Sequence, residues 1–266
     1  MEIQIWRELL DPYQLAVDEL VVKFEHIIEE HNNKGLYSPI ELVIGRVKSI
    51  DSILDKMYRK DISLGELEER IEDIAGIRIT CQFVEDIDRV VEMIKKRSDM
   101  DVLQEKDYVS HMKSSGYRSY HMIISYVVNT MEGPKEIHAE IQIRTLAMDF
   151  WATIEHSLQY KYKDNIPDHI QKKLIDASEA IIVLDRAMSD VRDEIMDAQN
   201  TNKIRENLIK DILNNIQNLY KVANKGEVSR IQEEFYKVYL TEDMGKLQHF
   251  SRQLDVIAEG FQAQSL

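Results

Sequence analysis

From Ile137 to Arg144 the side chains alternate without interruption: Ile137, Ala139, Ile141 and Ile143 are apolar, and His138, Glu140, Gln142 and Arg144 are polar. Successive strand residues point to opposite faces of a sheet, so one face of this segment enters a core and the other carries polar groups of both charge signs. A second alternation sets Ile77, Ile79, Cys81 and Phe83 against Arg78, Thr80 and Gln82, which predicts a half-buried strand over 77–83. A third strand is expected from Gly116 to Val128. Its connection to the 136–144 strand through Asn129, Gly133 and Pro134 has hairpin composition, so those two should be antiparallel neighbours.

The remaining periodicity is helical. Leu15, Leu20, Phe24, Ile27 and Ile28 predict an amphipathic helix from Pro12 to about His31, and the spacing of Val47, Ile50, Ile53, Leu54 and Met57 predicts another from Gly45 to Lys60. Shorter helical stretches are read over Leu64–Ile74 and Asp86–Arg97. Beyond Thr145 the pattern stays helical through Phe150, Trp151, Ile154 and Leu158, and again from Leu174 to Ile195, with no proline after Pro167. The fold class is therefore α+β, a mixed β-sheet with helices before, across and after it. Residues 201–266 hold nine Lys+Arg and nine Asp+Glu, so the whole excess of acid lies in 1–200. Ile204, Leu208, Leu213, Ile216 and Leu219 mark one helix of this neutral tail, Ile231, Phe235, Val238 and Tyr239 another, and Gly226 and Gly245 are read as turns. We read 1–200 as one domain, with central motifs in 45–156 and flanking helices at 10–32 and 168–199, and 201–266 as an appended helical extension.

Composition narrows the function. The chain has 266 residues, 44% of them hydrophobic, enough for a sizeable core, and its one cysteine, Cys81, has no internal partner for a disulfide. No run of about 18 apolar residues suggests a membrane span, and the first residues lack the basic-then-apolar order of a secretion signal, so a cytoplasmic protein is expected. A net charge of −14 disfavours broad nucleic-acid binding. Against that background, Lys48, Ser52, Lys56 and Arg59 fall at intervals of four, four and three, which on a helix would stack three cations and a hydroxyl in one stripe suited to a polyphosphate.

Five motifs occur in order: Gly45-Arg46-Val47-Lys48, Asp73-Ile74-Ala75-Gly76-Ile77-Arg78, Gly116-Tyr117-Arg118-Ser119-Tyr120-His121, Glu140-Ile141-Gln142-Ile143-Arg144-Thr145, and Met148-Asp149-Phe150-Trp151-Ala152-Thr153-Ile154-Glu155-His156. Together they resemble the synthetase domain of the RelA/SpoT family, most of all its small alarmone synthetases, over roughly residues 10–200. The resemblance implies a nucleotidyltransferase-like fold and transfer of the β,γ-pyrophosphate of ATP to the 3′-hydroxyl of GDP or GTP, with Mg²⁺ as cofactor. Such a transfer asks mainly for positioning and charge neutralisation. Like unit charges about 4 Å apart repel by roughly 4 kcal/mol at an effective dielectric of about 20, so several cations are needed.

Carried over residue by residue, the resemblance assigns Arg46 and Arg78 to the faces of adenine and Lys48, Ser52 and Lys56 to the ATP phosphates, with Arg59 added from helical spacing. Guanidinium planes stack on bases as ammonium groups cannot. Asp73 and Glu140 become Mg²⁺ ligands, and Glu140 also the base toward the 3′-hydroxyl, a role that calls for metal help or a pKa raised by burial. Tyr117 is implied to stack on guanine, with Lys113 and His121 near the phosphates of that nucleotide and Gln142 near its sugar; the competing reading of His121 is a structural histidine. Asp149 either accepts from guanine or serves the positive end of a helix.

The resemblance also implies a homo-oligomer, commonly a tetramer. Full-length members carry a hydrolase upstream with paired His-Asp metal ligands; the absence of a His-Asp dipeptide here leads us to expect synthesis without degradation. Two other functions compete: a relative that pyrophosphorylates the 3′ end of tRNA, for which the basic residues Lys95, Lys96, Arg97, Lys172 and Lys173 offer little path, and a catalytically inactive nucleotide-sensing or interaction module.

Overall fold

The computed structural model describes residues 2–162, 167–220 and 223–264. By internal contacts the chain divides into two compact units, Met1–Ser189 and Asp190–Leu266. The first contains a five-stranded sheet in the order β1-β2-β5-β4-β3, built from β1 (Leu42–Val47), β2 (Ala75–Cys81), β3 (Asp101–Asp107), β4 (Tyr120–Thr130) and β5 (Gly133–Thr145). The β2–β5 pair is parallel and the others antiparallel, so the sheet is mixed as expected. The β4–β5 hairpin turns at Gly133, whose φ of 117° suits glycine alone.

Helices α1 (Glu2–Asn33) and α4 (Val84–Lys95) contribute to the core, which holds Tyr13, Leu20 and Phe24 of α1 and Ile87, Val90 and Ile94 of α4. With them are buried Ile77, Ile79 and Cys81 of β2 and Ile137, Ala139, Ile141 and Ile143 of β5, the apolar sets that the alternation predicted. Gly45 lets β1 lie close to α1: a Cβ there would stand 2.5 Å from a Val17 methyl and 2.6 Å from a Val21 methyl.

Several elements differ from expectation. Helix α1 begins ten residues before Pro12, which sits inside it; Trp6, Leu9 and Leu10 pack on the core, and that burial offsets the lost hydrogen bond. The expected helix over 45–60 is instead strand β1 followed by α2 (Ile50–Lys60), with Ser49 in an extended conformation at the junction. Strand pairing with β2 overrides a helical spacing that bridged the two elements. A 3₁₀ turn (Leu64–Glu66) and α3 (Leu67–Arg70) follow, β3 was not anticipated, and residues 116–119 precede β4 without being part of it.

After β5 come α5 (Leu146–Tyr162) and α6 (Asp168–Leu219). Helix α6 has 52 residues and neither glycine nor proline, so nothing interrupts it at residue 200. The second unit adds α7 (Lys225–Tyr239) and α8 (Met244–Gln264) around an apolar core of Ile212, Ile216, Leu219, Val228, Leu247, Phe250 and Leu254. Gly226 and Gly245 lie in the first turns of α7 and α8 rather than between helices. Among the described residues no helix is long and apolar enough to cross a membrane.

Candidate active site

The register of the sheet assembles the site. Ile44 lies opposite Arg78 and Arg46 opposite Gly76, while across the parallel pair Gly76 is beside Glu140, Arg78 beside Gln142 and Thr80 beside Arg144. His121 on β4 lies opposite Gln142. Because alternate residues share a face, Arg46, Arg78, Glu140, Gln142, Arg144 and His121 all belong to the face away from the apolar β2 and β5 residues of the core. Two adjoining cavities open there. One of about 170 Å³ is lined by Arg46, Lys48, Asp73, Arg78, Glu140 and Gln142 among others. The other, about 330 Å³, shares Arg46, Arg78 and Gln142 and adds Tyr117, Arg144, Glu155 and His156.

Asp73, two residues before β2, is gripped from both sides: Lys48 Nζ is 2.9 Å from Oδ2 and Lys56 Nζ is 2.8 Å from Oδ1. Burial pushes its carboxyl up, but the hydrogen bonds and charges of Lys56 and Lys48 outweigh burial and hold it below the usual carboxylate range. Lys48 reaches this position from the β1–α2 connection, not from a helix, so the single stripe of four residues does not exist. Ser52 is exposed and shares a 2.8 Å hydrogen bond with Ser49. Arg59 is exposed near the end of α2, where its Nε donates to the Asp55 carbonyl, and it lines neither cavity. Lys48 and Lys56 are thus brought together with Asp73, and Ser52 and Arg59 are not.

Glu140 is held by a different kind of partner. Its Oε1 lies 3.0 Å from His121 Nδ1, and its Oε2 accepts from Gln142 Nε2 at 2.7 Å. Burial raises this carboxyl and Asp73 raises it further, yet His121 and Gln142 prevail and the net shift is downward. Burial therefore does not make Glu140 a stronger base. The imidazole of His121 continues to Tyr117, whose hydroxyl lies 3.0 Å from Nε2. Lys113 Nζ stands 4.9 Å from the centre of the Tyr117 ring and 4.5 Å from that of Tyr108.

The cluster does not arise from strand alternation, because Tyr117 precedes β4 and Ser119 is buried with its hydroxyl donating to the Ile143 carbonyl. Asp149, in the first turn of α5, has Oδ1 at 3.3 Å from both Arg78 and Arg144. It therefore both occupies a helix start and bridges two guanidinium groups.

Sequence reasoning gave no role to Arg144, which is 2% exposed, donates to Gln142 Oε1 and lies 6.0 Å from the Tyr117 ring centre. The signal was present, since Arg144 follows Glu140 and Gln142 at two-residue spacing. Tyr108, edge-on to His121 at 5.2 Å between ring centres, had no such signal. Cys81 is a core residue: burial, then the Asp86 charge, pushes its thiol up and away from nucleophilic use. A more voluminous cavity of about 650 Å³ lies in the second unit, lined by Ile231, Phe250, Leu254 and Ile257 among others. It lacks the paired carboxylates and converging guanidinium groups of the sheet face.

Residues 45–165 match the region found in RelA / SpoT proteins. The GTP pyrophosphokinase YjbM of Bacillus subtilis is 50% identical over 199 residues, 75% of this chain and 94% of that protein. The chain belongs to the RelA/SpoT family. The GTP pyrophosphokinase YwaC of the same organism is 41% identical over 71% of this chain and 91% of its own. Among solved structures, the small alarmone synthetase 1 of Bacillus subtilis bound to its product pppGpp superposes with a TM-score of 0.70 at 50% identity, covering 73% of this chain and 99% of that one. The same enzyme bound to AMPCPP gives 0.64 at 47% identity, with 73% and 99% covered.

Proposed function

We propose that this chain is a GTP pyrophosphokinase that makes alarmone: it moves the β,γ-pyrophosphate of ATP onto the 3′-hydroxyl of GDP or GTP and releases AMP with ppGpp or pppGpp. The single observation that carries this reading is the sheet register, which places Arg46, Arg78, Glu140, Gln142 and Arg144 on one face with Asp73 held between Lys48 and Lys56 beside them. In bond terms, the ribose 3′-oxygen attacks the β-phosphorus of ATP, the bond from that phosphorus to the α,β-bridging oxygen breaks, and AMP departs with the bridging oxygen. Glu140 takes the hydroxyl proton. Arg46 and Arg78 hold adenine between guanidinium planes, and Lys48 and Lys56 turn from Asp73 to the ATP phosphates, giving polyphosphate the charge that the carboxylate now absorbs. Tyr117 stacks on guanine, with Lys113 and His121 beside its phosphates, Gln142 by the sugar and Asp149 accepting from the base.

Asp73 and Glu140 line the same cavity, and no set of three or more potential metal-ligating side chains exists among the described residues. Two hard oxygen donors suit Mg²⁺, and Asp73 and Glu140 would hold it. Mg²⁺ bound there would neutralise phosphate charge and acidify the attacking hydroxyl, the help that Glu140 needs given its lowered pKa. A tRNA acceptor is not favoured, because Lys95 and Arg97 pair with Glu105 and Asp99 at 2.8 and 2.7 Å. We further place the protein in the cytoplasm as a homo-oligomer, with residues 1–200 as the synthetase domain. Incubation with Mg²⁺, ATP and GTP followed by nucleotide chromatography should yield guanosine pentaphosphate and AMP; ADP alone, or unchanged nucleotides, would overturn the assignment.

A further inference from the structure

Three polar residues of α6, Gln171, Ser178 and Asp185, follow one another at intervals of seven. Seven residues bring a helix back to within about 20° of the same direction, so the three form one stripe. Each makes a hydrogen bond to a segment that presents a residue of the active site. Gln171 Nε2 donates to the Ser115 carbonyl at 3.0 Å, and the buried Ser178 hydroxyl donates to the Gly116 carbonyl at 2.5 Å. Buried Asp185 accepts from the Thr145 hydroxyl at 2.6 Å, and that same hydroxyl accepts from the Met148 N–H at the start of α5.

The segment held by the first two bonds is the tight loop 113–117. Within it the Gly116 N–H donates to the Lys113 carbonyl and the Lys113 N–H to the Tyr117 carbonyl, so the backbones of Lys113 and Tyr117 are tied to each other. Gly116 has a φ of +94°, and a Cβ on it would come within 3.1 Å of the Trp151 ring, 3.3 Å of the Ile175 Cα and 3.3 Å of the Ser178 Cβ. The loop is therefore wedged between α5 and α6, and Trp151 ties those helices together by donating to the Leu174 carbonyl at 2.9 Å. Among the described residues, neither Lys48, Lys56 nor Asp73 forms a hydrogen bond or ion pair with α6.

We propose that the Gln171–Ser178–Asp185 stripe is the positioning element for the acceptor half of the site: it fixes the loop carrying Lys113 and Tyr117, and the helix start carrying Asp149, while leaving the Lys48–Asp73–Lys56 half to the sheet and α2. This rests on the reading of Tyr117 and Lys113 as guanine-nucleotide residues. A displacement of about 1 Å in such a site costs about 100-fold in turnover, and loss of one hydrogen bond to the loop permits a smaller shift.

The test is steady-state kinetics on full-length protein carrying Gln171→Ala, Ser178→Ala, Asp185→Ala and Asp185→Asn, with Tyr117→Ala as reference. Gln171 is only half-buried, so its substitution keeps the question answerable if Ser178→Ala does not fold. Gln171→Ala and Ser178→Ala should each raise KM for GTP about 3- to 10-fold with KM for ATP unchanged. Adding Gln171→Ala to Tyr117→Ala should cost clearly less than the sum of the two single changes, because only Lys113 is then left for the loop to position. Asp185→Asn, whose amide oxygen still accepts from Thr145, should retain the GTP affinity that Asp185→Ala loses.

Equal weakening of both substrates, or full additivity with Tyr117→Ala, overturns the stripe as a positioning element and leaves the enzyme assignment standing. If Tyr117→Ala itself spares KM for GTP, the acceptor reading fails and this proposal fails with it.

Discussion

The polar face of the sheet and the core of the second unit are both well ordered by the packing rules of their elements, but they bury opposite things. The sheet face holds Arg144 at 2% exposure, with His121 buried and Asp73 and Glu140 largely covered, all of them held in ion pairs and hydrogen bonds. The core of the second unit is a cluster of apolar side chains, such as Ile212, Leu247, Phe250 and Leu254. Burying charge is costly unless each charge is paired, and apolar packing would stabilise a fold of this size more simply. The contrast supports the reading proposed above, in which the sheet face reacts and the second unit packs.

The largest expected effect lies on the sheet face. Glu140→Gln keeps the shape and the hydrogen-bonding reach of the side chain but cannot take a proton, so kcat should fall about 1,000-fold while calorimetric nucleotide binding is retained. Substantial residual turnover would remove Glu140 from the base role. In the second unit the corresponding change is Phe250→Ala, which empties a site where the ring packs 5.8 Å from Phe235. It should destabilise that unit by about 3 kcal/mol with kcat unchanged below the melting transition, and a fall in kcat would break the division between the regions.

A smaller effect is expected at Tyr117. Removing a stacking ring should raise KM for GTP about tenfold and leave KM for ATP alone, and equal changes in both would contradict the assignment. The Asp73 cluster gives a pH signature. Its carboxyl is depressed in the folded state, so its contribution to stability is fully present above the unfolded-state pKa and is lost as pH falls through the folded value. Thermal unfolding followed downward from about pH 5 should lose less stability in Asp73→Asn than in the native protein. Arg59→Ala should be nearly silent, changing KM for ATP by no more than about twofold, because its guanidinium is exposed and engages only its own helix. A large rise would restore Arg59 to the phosphate site.

Much of the fold was legible because periodicity is a local property. The alternation in 137–144 located β5 and both of its faces, and the hairpin to β4 followed from Asn129, Gly133 and Pro134. Strand β1 was not legible, since Val47, Ile50 and Ile53 keep a helical spacing across a strand-to-helix junction that only pairing with β2 reveals. The start of α1 was hidden by Pro12, whose local cost is outweighed by packing further along. For the same reason the stripe from Lys48 to Arg59 dissolved: Lys48 and Lys56 meet at Asp73 from different elements.

What the amino-acid order determined alone was which residues face together along each element: the polar row of β5, the apolar rows beneath it and the helical faces of the tail. Which rows become neighbours was decided only in three dimensions. The offset between strands and the docking of α6 depend on contacts between residues far apart in the chain, and no local period encodes them. That is why the polar row holding Glu140 could be read from alternation and its role only from the family resemblance, whereas its hydrogen bond to His121, the pairing of Asp149 with Arg78 and Arg144, and the grip of Ser178 on Gly116 had to be seen.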